Sequence, residues 1–143
     1  MTIIQYILSL IVLVPNHPLN RSADLLEEVA GYFDQYGDQY DLDPTLLVHW
    51  AYRESSLRIG RTGKLGEVGI CQAHGKHLRT CKVAGLDVST WDGGIHCMAL
   101  LMDMDRRYCG SLEAGLRRYS TGSCHRGDKF VQRRLKAWKR GLK

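Results

Sequence analysis

A chain of 143 residues, 44% hydrophobic and 24% charged, has the makeup of one ordinary globular domain with enough chain for a sizeable core. That balance excludes low-complexity, repeat-built and intrinsically disordered classes. The net charge of +5 is unevenly spread: residues 1–59 carry three basic side chains against eight acidic, residues 60–105 five of each, and residues 106–143 twelve against two.

The amino terminus opens with an apolar run from Ile3 to Val14. It has the length of a signal-peptide core and falls short of the roughly 20 residues that span a bilayer. No Lys or Arg precedes it, and no small-x-small cleavage site follows. Three readings stand: an atypical export signal or membrane anchor, a hydrophobic helix docked on the domain, or a segment embedded in a larger assembly such as a virion. Residues 1–20 are therefore set apart from a domain at 21–143.

From Ser22 to Tyr36 the spacing predicts a capped amphipathic helix, with Leu25, Leu26, Val29 and Phe33 on one side. Asp24, Glu27 and Glu28 near its start complement the helix dipole. A second helix starts at Asp43, a good N-cap, with Pro44 at the first helical position, where its missing N–H costs nothing. Leu46, Leu47, Trp50 and Ala51 fall at helical spacing, and Glu54 arrives at the exit, before Ser55 and Ser56. A carboxyl at the end of so apolar a helix is desolvated, and its pKa rises toward the range where it donates a proton near neutral pH.

Next comes GEVGICQ, with Gly66, Gly69 and Gln72. Glycines three apart let the backbone turn tightly or approach a ligand, and the glutamine amide both donates and accepts. Cys71, His74, His77 and Cys81 follow. His74, His77 and Cys81 share a helix face, so zinc is chemically conceivable. The spacing is not that of a common finger, however, and Cys71 belongs to the glycine turn. Surface histidines with Cys71 and Cys81 as buried thiols or a short-range disulfide are the plainer reading, and no metal or other cofactor is expected. Five cysteines, Cys71, Cys81, Cys97, Cys109 and Cys124, leave one free. The other four allow three connectivities.

A Met- and Leu-rich helix is predicted from about Gly94 to Tyr108, burying Cys97, Leu101, Met104 and Tyr108, with Trp91 and Asp92 closing its start. Cys97 on that stripe reads equally as a plain core residue. Ser111 opens a short helix through Arg118 that delivers Tyr119 and a Ser120-Thr121-Gly122 turn. The last helix, from Asp128 to Lys143, sets Val131, Leu135, Trp138 and Leu142 opposite a basic face. Such a face attracts anionic polymers. It carries no helix-turn-helix, zinc-finger or RNA-recognition signature, so no specific nucleic acid is expected.

Three of these stretches, in order, resemble the motifs of the soluble lytic transglycosylases, a family related to goose-type lysozymes. Glu54-Ser55 stands for Glu-Ser, Gly66-x-x-Gly69-Ile70-Cys71-Gln72 for the Gly-Leu-Met-Gln motif with its preceding glycine, and Tyr119-Ser120-Thr121-Gly122 for Tyr-Asn-x-Gly. The similarity spans roughly Leu42 to Trp138. The resemblance implies a mainly α, lysozyme-like domain with little or no β-structure that cleaves the MurNAc-GlcNAc bond of peptidoglycan glycan strands. It implies Glu54 as the catalytic residue, first acid and then base, with Ser55, Gly69, Gln72, Tyr119 and Ser120 holding the sugar. A lone carboxyl suffices when the substrate supplies its own nucleophile. Such a substrate lies outside the cytoplasm, which favours export or membrane association of the first segment: cell envelope, secretion or a virion. Two departures stand out. Ser120 replaces the family Asn, reducing an amide contact to one hydroxyl, and Glu67 sits where the family has a small residue. They keep open a hydrolysing lysozyme, or a wall-binding module of a secretion or phage assembly without turnover.

Overall fold

The computed structural model describes residues 1–141. It is mainly helical, with eight helices among the described residues and no strand beyond isolated bridges from Val68 to Thr62 and Ala73. Helix α4, Pro44–Ser55, is the axis of the fold. Asp43 caps it, its Oδ1 accepting the Thr45 N–H at 2.9 Å, with Pro44 in the first turn. Leu46, Leu47, Val48, His49, Trp50 and Ala51 are all buried, so the helix is enclosed on every side.

Helix α3, Ala23–Tyr40, packs against α4. Ser22 caps it as the sequence suggests, its hydroxyl accepting from Leu25 N–H, and Leu26, Val29 and Phe33 are buried. The helix runs four residues past Tyr36 and stops where Asp41 turns left-handed, at φ 52°. Helix α6, Trp91–Cys109, lies on α3, and α7, Leu112–Thr121, folds back on α6. Gly115 permits that close approach, since a Cβ there would meet the Arg106 backbone at 2.6 Å. Thr90, rather than Trp91 or Asp92, caps α6, and Asp92 instead accepts a hydrogen bond from the Tyr36 hydroxyl. The anticipated apolar stripe is buried only at Cys97 and Leu101. Met104 and Tyr108 are exposed, the Tyr108 ring lying beneath the Arg118 guanidinium.

The amino-terminal run forms α1, Ile3–Ile11, docked against α3 and α4 with Tyr6, Ile7, Leu10 and Ile11 buried. The Tyr6 hydroxyl lies 3.1 Å from His49 Nδ1 and 3.4 Å from the Trp138 carbonyl. These residues thus belong to the same core as 21–141. No helix among the described residues is long and apolar enough to cross a membrane. At the start of the short helix α2, Pro18–Arg21, the buried N-cap His17 ties this segment to the end of α4: its Nε2 donates to the Ser56 carbonyl at 2.7 Å, and its Nδ1 accepts from Leu19 N–H.

Helix α8, Asp128–Arg140, closes the bundle against α4 and α7 through Val131 and Leu135, with the Trp138 indole donating to Thr45 Oγ1 at 2.9 Å. Leu142 lies outside the described residues. Disulfide Cys81–Cys97 ties α5, Gly75–Val83, to α6, and Cys109–Cys124 brackets α7. Cys97 is therefore not a plain core thiol, Cys81 is not paired with Cys71, and the proposed Cys/His face has lost its thiolate. Cys71 is the free, buried one.

Candidate active site

The exit of α4 is a constrained piece of backbone. Ser56 and Leu57 are both left-handed, at φ 56° and 57°, and Leu57 is fully buried. Non-glycine residues in that region cost about 1–2 kcal/mol each, and such conformers gather where surrounding structure over-determines the chain. Here the His17–Ser56 bond and the burial of Leu57 hold them. Glu54 stands immediately before, with 27% of its side chain exposed.

Two charged neighbours, Arg134 and Glu67, and two buried groups act on or feel that carboxyl. Burial raises its pKa above the ordinary carboxylate range. Arg134, from α8, opposes the rise by placing Nη1 3.3 Å from Glu54 Oε1, while the negative charge of Glu67 adds to it. Tyr119 and Cys71 lie near enough for the charge of Glu54 to act on both. Burial drives the Tyr119 hydroxyl well above 10 and the Cys71 thiol up to about 12, and Glu54 adds to each. Glu54, Glu67, Cys71, Tyr119 and Arg134 thus share one neighbourhood, assembled from α4, the glycine loop, α7 and α8.

Tyr119 does not come off a turn. Helix α7 continues through Thr121, so Tyr119 is helical and buried, stacked on the His77 ring at 5.3 Å between centroids. No hydrogen bond joins it to Glu54 among the described residues. Arg117 and Thr121 fasten the following loop through the carbonyls of Cys124 and Arg126.

The remaining expected binding groups are mostly occupied by the protein itself. Ser55 is fully buried, its hydroxyl donating to the Ala51 carbonyl at 3.1 Å, the common back-bond of a helical serine. It closes α4 and does not face the carboxyl's open side. Ser120 Oγ is buried without a partner among the described residues. Gly69 is required by its own fold: at φ 80° a Cβ would lie 2.0 Å from the Val88 carbonyl oxygen. The close approach is thus to protein backbone, not to a ligand. Gln72 sits at φ 50°, and its Nε2 donates to the Gly69 and Arg61 carbonyls at 2.9 and 3.0 Å, pinning the loop. Only its Oε1 remains available, beside Gly63, where the Glu67 carboxylate also lies.

Arg134 was invisible in the sequence except as one of many charges on a basic helix. Its guanidinium carbon lies 4.2 Å from the Phe130 ring centroid and 5.2 Å from that of buried Trp50, and only 12% of the side chain is exposed. A cavity of about 330 Å³ opens there, lined by Arg53, Phe130, Arg133, Arg134 and Ala137. What this constellation offers chemically is a carboxyl whose burial favours its protonated form, a cation to stabilise it once the proton has left, and a nearby phenol. Comparison of the chain with protein-family models, with curated proteins and with solved structures finds no match.

Proposed function

We propose that the protein is a peptidoglycan lytic transglycosylase built on a lysozyme-like helical domain, with Glu54 as its one catalytic group. The observation that carries this reading is a half-buried carboxyl at the end of an enclosed helix, its pKa raised by burial, with a guanidinium in contact and a buried tyrosine near enough to feel its charge. In the proposed reaction protonated Glu54 gives its proton to the glycosidic oxygen as the C1–O bond breaks. Its carboxylate, steadied by Arg134, then takes the proton of the muramyl C6 hydroxyl, whose oxygen bonds to C1 and closes a 1,6-anhydro ring. The proton lost by Glu54 in the first step is recovered in the second, so no other proton carrier is needed.

Two further features support the setting. Two disulfides suit an oxidising compartment, the envelope or beyond, and the cationic last helix suits a wall polymer rich in carboxylates. The deciding experiment is mass analysis of products from purified peptidoglycan. Anhydromuropeptides are expected from the native protein and none from Glu54→Gln.

The hydrolysing alternative rests on a specific observation as well. Glu67 is a second carboxylate close enough to act on Glu54, and paired carboxyls are the usual equipment for activating water. Products heavier by one water, lost in Glu67→Gln, would replace the first reading with this one.

A further inference from the structure

The cavity beside Glu54 has a lining unlike the rest of the surface. Three of its five residues are arginines, on two different helices, and among the described residues the only carboxylate touching any of them is Glu54 itself, at Arg134. Arg53 and Arg133 have no acidic partner among the described residues. Cations are not gathered in this way for stability. Like charges repel, and an arginine with no partner gains nothing from a neighbour of its own sign. Arg134 is further constrained: stacking on Phe130 fixes its plane, and its Nε is buried without an acceptor among the described residues. Its guanidinium therefore carries more donor capacity than the fold satisfies.

We propose that this cavity is a carboxylate-binding subsite that receives the peptide stem of the muramyl residue being cut. The proposal rests on the transglycosylase reading and adds which part of the substrate is recognised. Guanidinium groups match carboxylates through paired N–H···O bonds, and two or more arginines converging on a small recess fix such a group in place. Phe130 and Ala137 supply an apolar wall for the aliphatic part of a stem residue. The position is right for a stem. It hangs from the same sugar whose glycosidic bond must reach Glu54, and Arg134, which lines the cavity, is also the residue in contact with Glu54. A second recess, lined by Lys129, Gln132, Arg133 and Lys136, shares Arg133 with the first and carries the cationic track onto the adjoining face of α8. A stem bearing successive carboxylates would follow that track.

The test is calorimetric binding at constant ionic strength to the full-length protein, which needs no turnover. The probes are a muramyl dipeptide with its carboxylate free, the same compound as its carboxamide, and inorganic phosphate. The acid is expected to bind at least tenfold more tightly than the amide. Arg53→Gln and Arg133→Gln, both at exposed positions, should each weaken the acid about tenfold and leave the amide unchanged, with melting temperatures at the native value. Equal binding of acid and amide, native-like binding by both variants, or tighter binding of phosphate than of the acid would overturn the proposal. A protein that discriminates acid from amide yet releases no anhydro product keeps the subsite and loses the transglycosylase reading. One that cuts stem-free glycan as fast as stem-bearing glycan keeps the reading and loses the subsite.

Discussion

Arg134 reaches Glu54 across 80 residues of chain, setting a guanidinium nitrogen 3.3 Å from the carboxylate oxygen. The contact is part of a balance. Burial and Glu67 favour the protonated acid, and Arg134 favours the anion.

Under the proposed reaction, with Glu54 as the acid, the balance makes the pH profile of cleavage movable in both directions. A general acid is active only while protonated, so the alkaline limb of kcat/KM follows the pKa of Glu54 in the free enzyme. Arg134→Gln removes the group that lowers it and is expected to move the limb upward, on the order of one pH unit. Glu67→Gln removes a group that raises it and should move the limb downward by less. Profiles of peptidoglycan solubilisation for the two variants check this, and a shift of both in the same direction would contradict the balance described.

Gly66 and Gly69 separate conformational strain from collision. Both have φ of 80°, but a Cβ at Gly66 meets nothing within 4 Å, whereas at Gly69 it meets the Val88 carbonyl at 2.0 Å. Gly66→Ala is expected to cost about 1 kcal/mol and Gly69→Ala about 3 kcal/mol or more. Urea unfolding of the two variants measures the difference.

Two buried histidines predict loss of stability in acid. Burial pulls His49 down to about 4, and it lowers His17 as well. A histidine whose folded pKa lies below its unfolded value of 6.5 stabilises fully above 6.5, and that contribution drains away as pH falls toward the folded value. For the fully buried His49 the window runs from 6.5 to about 4 and is worth about 3 kcal/mol. The expected outcome is a melting temperature that declines through this range, with a shallower decline in His49→Phe.

Cys109–Cys124 spans 15 residues and Cys81–Cys97 spans 16. Loops of that size correspond to about 3 kcal/mol each through restriction of the unfolded chain. Cys109→Ser/Cys124→Ser should therefore lower unfolding free energy by about 3 kcal/mol, measured by guanidinium unfolding without reductant. Because this bridge brackets α7, the variant should also lose cleavage through displacement of Tyr119.

What could be read from the chain was what local chemistry decides. Ser22, Asp43 and Ser111 cap their helices because each cap is a contact between residues two or three apart. The desolvated carboxyl of Glu54 was legible from the apolar helix before it. Arg134 was not, since nothing within a helix turn of it points to Glu54, and only the crossing of α8 over α4 joins them. The internal bond of Ser55 was not legible for a related reason: a hydroxyl chooses between its own helix, the interior and a ligand according to packing that a motif does not encode. Met104 and Tyr108 have the right period for burial, but both remain exposed, with only the Arg118 guanidinium of α7 lying over the Tyr108 ring.

The Tyr6 hydroxyl sits against the Trp138 carbonyl, so the first helix finishes its packing on the last. During synthesis, then, the opening segment must wait for α8 to emerge from the ribosome before that clasp forms. Arg134 arrives in the same stretch. Until then a nascent chain would carry its acid with no guanidinium beside it, and that pairing would be completed only after α8 has been made.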